Sequence, residues 1–198
     1  MTMPSVARGR ELPRKTLHVT TATIPLVLWL GVPQGAVAVL LVVLFGVACV
    51  VELARRRSTA FASQFDATVG VMLRPHEVTD GITGATWLLA AFALTCIAAP
   101  LPAVIAATWA GAIGDGSAAV IGTAWRRARG GTGKTVVGSV ACAVATALGA
   151  WWLAGFGIAL ALTLGVVAAV VERPSIALDD NVRVTAGVAL AAVILLQI

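Results

Sequence analysis

Ala103-Val104-Ile105-Ala106-Ala107-Thr108-Trp109-Ala110-Gly111-Ala112-Ile113-Gly114-Asp115-Gly116-Ser117-Ala118-Ala119-Val120-Ile121-Gly122 is an apolar, small-residue run broken by one carboxylate, Asp115. Its length suits a bilayer-crossing helix. An ionised carboxylate at that depth costs roughly 2.5–3.5 kcal/mol on insertion scales. Asp115 is therefore expected to face a bundle interior, where a cation, a metal or a wet cavity compensates it. Gly111, Asp115, Ala118 and Gly122 fall at i, i+4, i+7 and i+11, one helix face almost bare of side chains. Other backbones or a ligand can approach the acid closely there. A structural ion pair and a functional acid in a glycine-lined groove both satisfy this pattern.

Working outward, 59% of the 198 residues are hydrophobic and only 12% are charged. Soluble domains carry about 25% charged residues, so the chain reads as an integral membrane protein. Apolar stretches at about 17–32, 35–53, 84–99, 101–124, 136–154, 156–171 and 182–198 predict an all-α bundle of seven transmembrane helices. Charged residues fall in the N-terminal arm and in the segments Glu52–Asp80, Arg126–Lys134 and Glu172–Arg183, with Asp115 alone inside a helix. The turns around Gln34, Pro100 and Gly155 carry none. The positive-inside rule then places the N-terminus and every charged loop in the cytoplasm. Residues 1–13 are expected to form a flexible cytoplasmic arm, and 14–198 a single transmembrane domain in the plasma membrane, crossing it several times. No cleavable signal is evident, because the first apolar stretch runs into a second without a small-residue cleavage site. The net charge of +5 forms a one-sided basic surface suited to anionic headgroups or an anionic soluble substrate. No basic domain stands clear of the membrane, so nucleic acid is not an expected partner.

Cys49, Cys96 and Cys142 stand alone in apolar segments, without metal or redox spacing. His18 and His76 are also isolated, which argues against a histidine zinc site. Arg14, Lys15 and His18 gather at the mouth of the first helix; orientation explains the cations but does not require the imidazole. Glu52 pairs with Arg55 or Arg56 at i+3 or i+4. Phe61, Phe65, Val69 and Met72 recur at helical spacing and predict a short helix on the membrane interface.

Gly133-Lys134-Thr135 ends like a P-loop, but position 128 holds alanine where that motif needs its first glycine, and no strand precedes it. A glycine-rich cationic loop leading into a helix N-terminus nevertheless suits phosphates. Asp179-Asp180-Asn181 reads either as a helix cap or as oxygen ligands for Mg²⁺.

These pieces, in this order, resemble the membrane lipid kinase family that includes dolichol kinase, phytol kinase and the CTP-dependent diacylglycerol kinase, itself related to CDP-diacylglycerol synthases. The residues that carry the resemblance are Arg14-Lys15-x-x-His18, Glu52 with Arg55 or Arg56, Arg74-x-x-Glu77, and Thr83-Gly84-Ala85-Thr86. They continue with Gly114-Asp115-Gly116-Ser117-Ala118-Ala119 and Gly122, Lys134-Thr135-x-x-Gly138-Ser139, Glu172, and Asp180-Asn181-Val182. The pattern spans nearly the whole chain. Val137 stands where the family often has an acid, and the late histidine-glycine-glycine-aspartate element of the synthases is absent.

The resemblance implies transfer of the γ-phosphoryl group of CTP to a lipid alcohol, with Mg²⁺. Such a reaction needs a metal clamp, cations on the phosphates and an aligned hydroxyl. On this basis Asp115, Lys134 and Glu77 are the candidate catalytic residues, with Asp115 and Asp180 as metal ligands. Arg14, Lys15, His18, Arg74, Gly114, Gly116, Gly138, Ser139 and Asn181 are the candidate donor-binding positions. The lipid alcohol would come from the bilayer and the nucleotide from the cytoplasm. A cytidylyltransferase acting on a lipid phosphate and a small transporter with Asp115 as its ion site are the alternatives.

Overall fold

The computed structural model describes residues 18–73, 77, 81–129, 131, 133–174 and 178–197. The expected arm, with Arg14, Lys15 and Arg74, lies outside the described residues. Every regular element among them is helical. In chain order they are α1 (Thr23–Trp29), α2 (Gln34–Arg57), α3 (Thr59–Val69), a 3₁₀ turn (Gly70–Met72), α4 (Gly84–Ala98), α5 (Leu101–Trp109), a π turn (Ala110–Gly114), α6 (Asp115–Arg129), α7 (Val136–Trp152), α8 (Ile158–Glu172) and α9 (Asp180–Leu195).

The apolar stretches read from the sequence reappear as helices, with one clear shortfall. The first, expected over 17–32, is regular only from Thr23 to Trp29. Thr21 Oγ1 donates to His18 O at 2.6 Å and Thr23 Oγ1 to Thr20 O at 2.9 Å. Pro25 lacks the N–H that would otherwise bond back to Thr21. Side-chain competition and the missing donor together break the helix near its start. At the far side of α2, Ser58 leaves helical geometry and its Oγ accepts from Phe61 N, so one residue ends α2 and caps α3. The short helix expected around Phe61 and Phe65 is α3, which buries none of its residues.

α5 sits at the centre. Ala103, Val104, Ala106 and Ala107 are fully buried among α1, α4, α7 and α9, as a helix enclosed on all sides must be. Small residues bring the neighbours close. A side chain at Gly165 would meet Ala143 O at 2.4 Å, and one at Gly138 would meet Ala118 O at 2.8 Å. Trp109 lies over Gly149 and donates its ring N–H to Ala145 O at 2.9 Å.

The periphery is as apolar as the interior. Val140, Val144, Leu148 and Trp151 form an exposed stripe on α7, and Ile158, Leu162, Val166 and Val170 another on α8. Gln34–Arg57 and the continuous helix Leu101–Arg129 are long and apolar enough to cross a membrane. At the uncharged end, Gln34 donates to Cys96 O and Ala99 O at 2.8 and 2.9 Å, and Trp29 packs on Trp152.

Candidate active site at the charged end of the bundle

Leu101–Arg129 is one helix with a defect. The amide of Asp115 bonds to Ala110 O, five residues back, instead of Gly111 O, four back. One extra residue per turn frees a carbonyl and rotates everything beyond it by about 100° relative to a regular helix. The freed carbonyl finds a partner: His18 Nε2 lies 2.7 Å from Gly111 O. A carbonyl only accepts, so Nε2 carries the proton. The same Nε2 lies 3.6 Å from Asp115 Oδ2.

The face expected from the glycine spacing is therefore split. Gly111 packs against Thr185 and Phe92, whereas Gly122 packs against Thr135 and Gly138. Gly114 lies against Thr146 and Cys142, and Gly116 against His18 and Val19. Gly114 thus serves a close approach beside the acid, whereas Gly116 stands at ordinary contact distance from its neighbours.

Asp115 lies within electrostatic reach of Lys134, Glu172 and Asp180 as well as His18. Lys134 Nζ is 3.0 Å from Glu172 Oε1 and 3.2 Å from Asp180 Oδ2, and it also donates to the Glu172 carbonyl. Ser139 Oγ donates to Glu172 Oε2 at 3.2 Å. Asp180 Oδ1 takes a guanidinium nitrogen of Arg183, whose other nitrogens reach Val171 O at 2.8 Å and Leu178 O at 3.1 Å. Helix ends from α7, α8 and α9 thereby deliver one cation–carboxylate cluster beside the acid of α6.

A second cluster adjoins it. Glu52 is buried and accepts from Arg55 at 3.0 Å, Thr83 N at 2.8 Å and Thr86 Oγ1 at 3.2 Å. Of the two pairings expected for Glu52, the structure makes the one with Arg55, which also donates to Glu77 O at 2.9 Å. Glu77 Oε1 accepts from Gly84 N at 3.0 Å, and Asn181 Nδ2 donates to Gly84 O at 3.1 Å. The α9 start joins the clusters, Asp180 facing Lys134 and Asn181 facing Gly84.

Several of the expected site positions also carry structural contacts. Glu77, expected in the catalytic set, holds the first turn of α4. Asn181, expected at the donor, spends its amide on Gly84, while Asp179 caps its backbone N–H at 2.9 Å. Gly138 and Ser139 were expected to present free backbone N–H groups to a phosphate. Thr135 takes both, through Oγ1 for Gly138 N and its carbonyl for Ser139 N, each at 3.0 Å. The amides left in that first turn are those of Val136 and Val137.

Arg126, read in the sequence as a topological cation, has a structural contact as well. Its guanidinium donates to Gly133 O at 2.7 Å and Thr123 Oγ1 at 3.0 Å, pinning the residue before Lys134. Exposed charge-assisted contacts are worth about 0.5–1 kcal/mol, so Arg126→Ala is expected to lower the melting temperature by only a few degrees, which a thermal melt in detergent checks.

No family model, curated protein or solved structure matches this chain. The resemblance to lipid kinases accordingly rests on the residues quoted above.

Among the described residues, no three His, Cys, Asp or Glu side chains gather as a metal site of their own. Mg²⁺ bound by one or two carboxylates plus substrate phosphates needs no such trio. Asp115 fits that use, since its ion partner among the described residues is an imidazole at 3.6 Å. Asp180 has both oxygens engaged, one by Lys134 and one by Arg183.

Proposed function

We propose that the protein is a membrane-embedded lipid kinase that transfers the γ-phosphoryl group of a nucleoside triphosphate, CTP by family resemblance, to the hydroxyl of a lipid alcohol. The observation that carries this reading is the convergence of His18, Asp115, Lys134, Glu172 and Asp180 at the one end of the bundle where the loops are charged. An acid beside bilayer-facing apolar surface suits an acceptor that slides in from the lipid. A lysine held between two carboxylates suits a phosphate that arrives from water and draws it away. Seven spans in the plasma membrane, with the N-terminus and charged loops cytoplasmic, complete the proposal. The apolar outer stripes of α2, α7 and α8 support it, because soluble proteins rarely expose such continuous patches.

In this mechanism Asp115 orients the lipid hydroxyl and receives its proton as the oxygen attacks phosphorus in line. His18 holds the carboxylate and the neighbouring turn. Lys134 turns from Glu172 and Asp180 to the donor phosphates, joined by Arg14, Lys15 and Arg74, and neutralises charge as the nucleoside diphosphate leaves. Mg²⁺, held by Asp115 and Asp180, would supply further neutralisation of the transferring phosphoryl oxygens.

The test is purified protein in detergent with labelled CTP or ATP and a panel of lipid alcohols: diacylglycerol, a polyprenol and phytol. A phosphorylated lipid with release of the nucleoside diphosphate supports the kinase. Pyrophosphate release from CTP and a lipid phosphate would assign nucleotidyl transfer instead. Topology has its own check. Single cysteines near Arg57, Arg129 and Leu178 are expected to react only from the cytoplasmic side, and those near Gln34 and Phe156 only from outside. External labelling near Arg129 would overturn the span count.

A further inference from the structure

The π turn is flanked by two anomalous threonines. Thr146 on α7 and Thr185 on α9 are both fully buried, and among the described residues neither hydroxyl has a nitrogen or oxygen hydrogen-bond partner. Other helical threonines here behave ordinarily. Thr68, Thr108 and Thr163 each donate to the carbonyl four residues back, at 2.8, 2.7 and 2.9 Å. The hydroxyls of Thr146 and Thr185 instead point at the turn. They would lie 2.5 Å from a side chain at Gly114 and 2.4 Å from one at Gly111. Thr146 has at most the weakly polar thiol of Cys142 beside it.

A buried hydroxyl without a partner costs about 1–3 kcal/mol, and valine would fill the same space without that cost. Two such groups aimed at one irregular turn, from two different helices, call for a state in which they are used. The turn supplies it. A π turn holds one residue more than the regular ladder accommodates, and moving that residue along the helix frees other carbonyls within Ala110–Gly114. Glycines at both contact points leave the backbone bare to the hydroxyls.

Resting on the kinase reading, we propose that Thr146 and Thr185 are positioning residues: their hydroxyls grip the shifting π turn and set the direction in which Asp115 meets the lipid hydroxyl. In the arrangement described, the turn aims Asp115 at His18. With substrate bound, the turn shifts, the two hydroxyls donate to its freed carbonyls, and Asp115 rotates to the acceptor. Neither threonine touches substrate.

The test compares Thr146→Val and Thr185→Val with Thr146→Ser and Thr185→Ser in purified full-length protein. Both valine variants are expected to melt at or above the wild-type temperature, because an unpaired buried hydroxyl has been removed. Their kcat is expected to fall about ten-fold or more, the scale of a small misplacement of a reacting group, with little change in KM for nucleotide or lipid. Serine, which keeps the hydroxyl, restores kcat. Valine variants with wild-type kcat would overturn the proposal.

A second readout does not depend on the kinase reading. The rate at which a hydrophobic carbodiimide modifies Asp115, followed by mass spectrometry, reports how the carboxylate is presented. The shifted turn is also sampled as a minor state without substrate, where the two hydroxyls stabilise it and release Asp115 from His18, so the rate is expected to fall in both valine variants and to return in the serine variants. An unchanged rate would overturn the positioning role even in a protein that phosphorylates no lipid. Absence of lipid phosphorylation by wild type, with the rate change intact, would overturn only the kinase assignment.

Discussion

Asp115→Asn is expected to abolish phosphoryl transfer to within about a hundredth of wild type or less, the scale seen when one preorganised electrostatic contact is removed from an active site. The amide keeps the size of the carboxylate but neither its charge nor its basicity. It is a poor ligand for a hard cation and no acceptor for the hydroxyl proton. Folding should survive. The recorded ion contact of Asp115 is a 3.6 Å approach to His18, and Nε2 of that ring is already bonded to Gly111 O. Expression and melting temperature should therefore stay near wild type while initial rates collapse. A variant that keeps its activity would reduce Asp115 to a structural partner of His18. One that fails to fold would instead make it the cluster's main electrostatic support.

The parts of this fold legible in the sequence are those governed by runs of one residue type. Uninterrupted apolar stretches between Pro33, Pro100 and the charged loops mark most helix bounds to within a few residues. Segregated charge marks which helix ends come together, and Asp115 stands out because hydrocarbon tolerates no casual carboxylate. The π turn was not legible. In Trp109 to Gly114 every residue is apolar or small, so a one-residue slip in period leaves no trace in the pattern. Its anchors, Thr146 and Thr185, are ordinary helix residues until the rotamer is seen. Long-range pairing was equally hidden, because nothing local links Lys134 to Glu172 or Asn181 to Gly84. The cap at the α7 start was hidden for a definite reason. A cationic glycine loop before a helix suggests open amides, but Thr135 at the cap position uses two of them itself, as a good N-cap residue does.

Lys134→Ala is expected to lose activity as strongly, and stability besides. Its ammonium sits between Glu172, whose side chain is 6% exposed, and Asp180. Asp180 retains Arg183, but among the described residues Glu172 would keep only the hydroxyl of Ser139. Removing one partner from a buried ion pair costs about 3–5 kcal/mol, and the partial exposure of Lys134 sets the lower end. A drop in activity alone would thus not separate a phosphate-binding lysine from a structural one. The double variant Lys134→Ala/Glu172→Gln does, because it leaves no uncompensated carboxylate at Glu172. Its melting temperature is expected to recover most of the loss, while its turnover stays as low as that of Lys134→Ala, since the ammonium assigned to the donor phosphates is still missing. Recovery of turnover along with stability would show that Lys134 serves Glu172 alone. The phosphate contacts would then fall to the arginines and lysine of the N-terminal and Arg74 segments. Separate titrations of nucleotide and lipid place the defect: the lysine's assignment requires it on the nucleotide side or in kcat, with lipid KM unchanged.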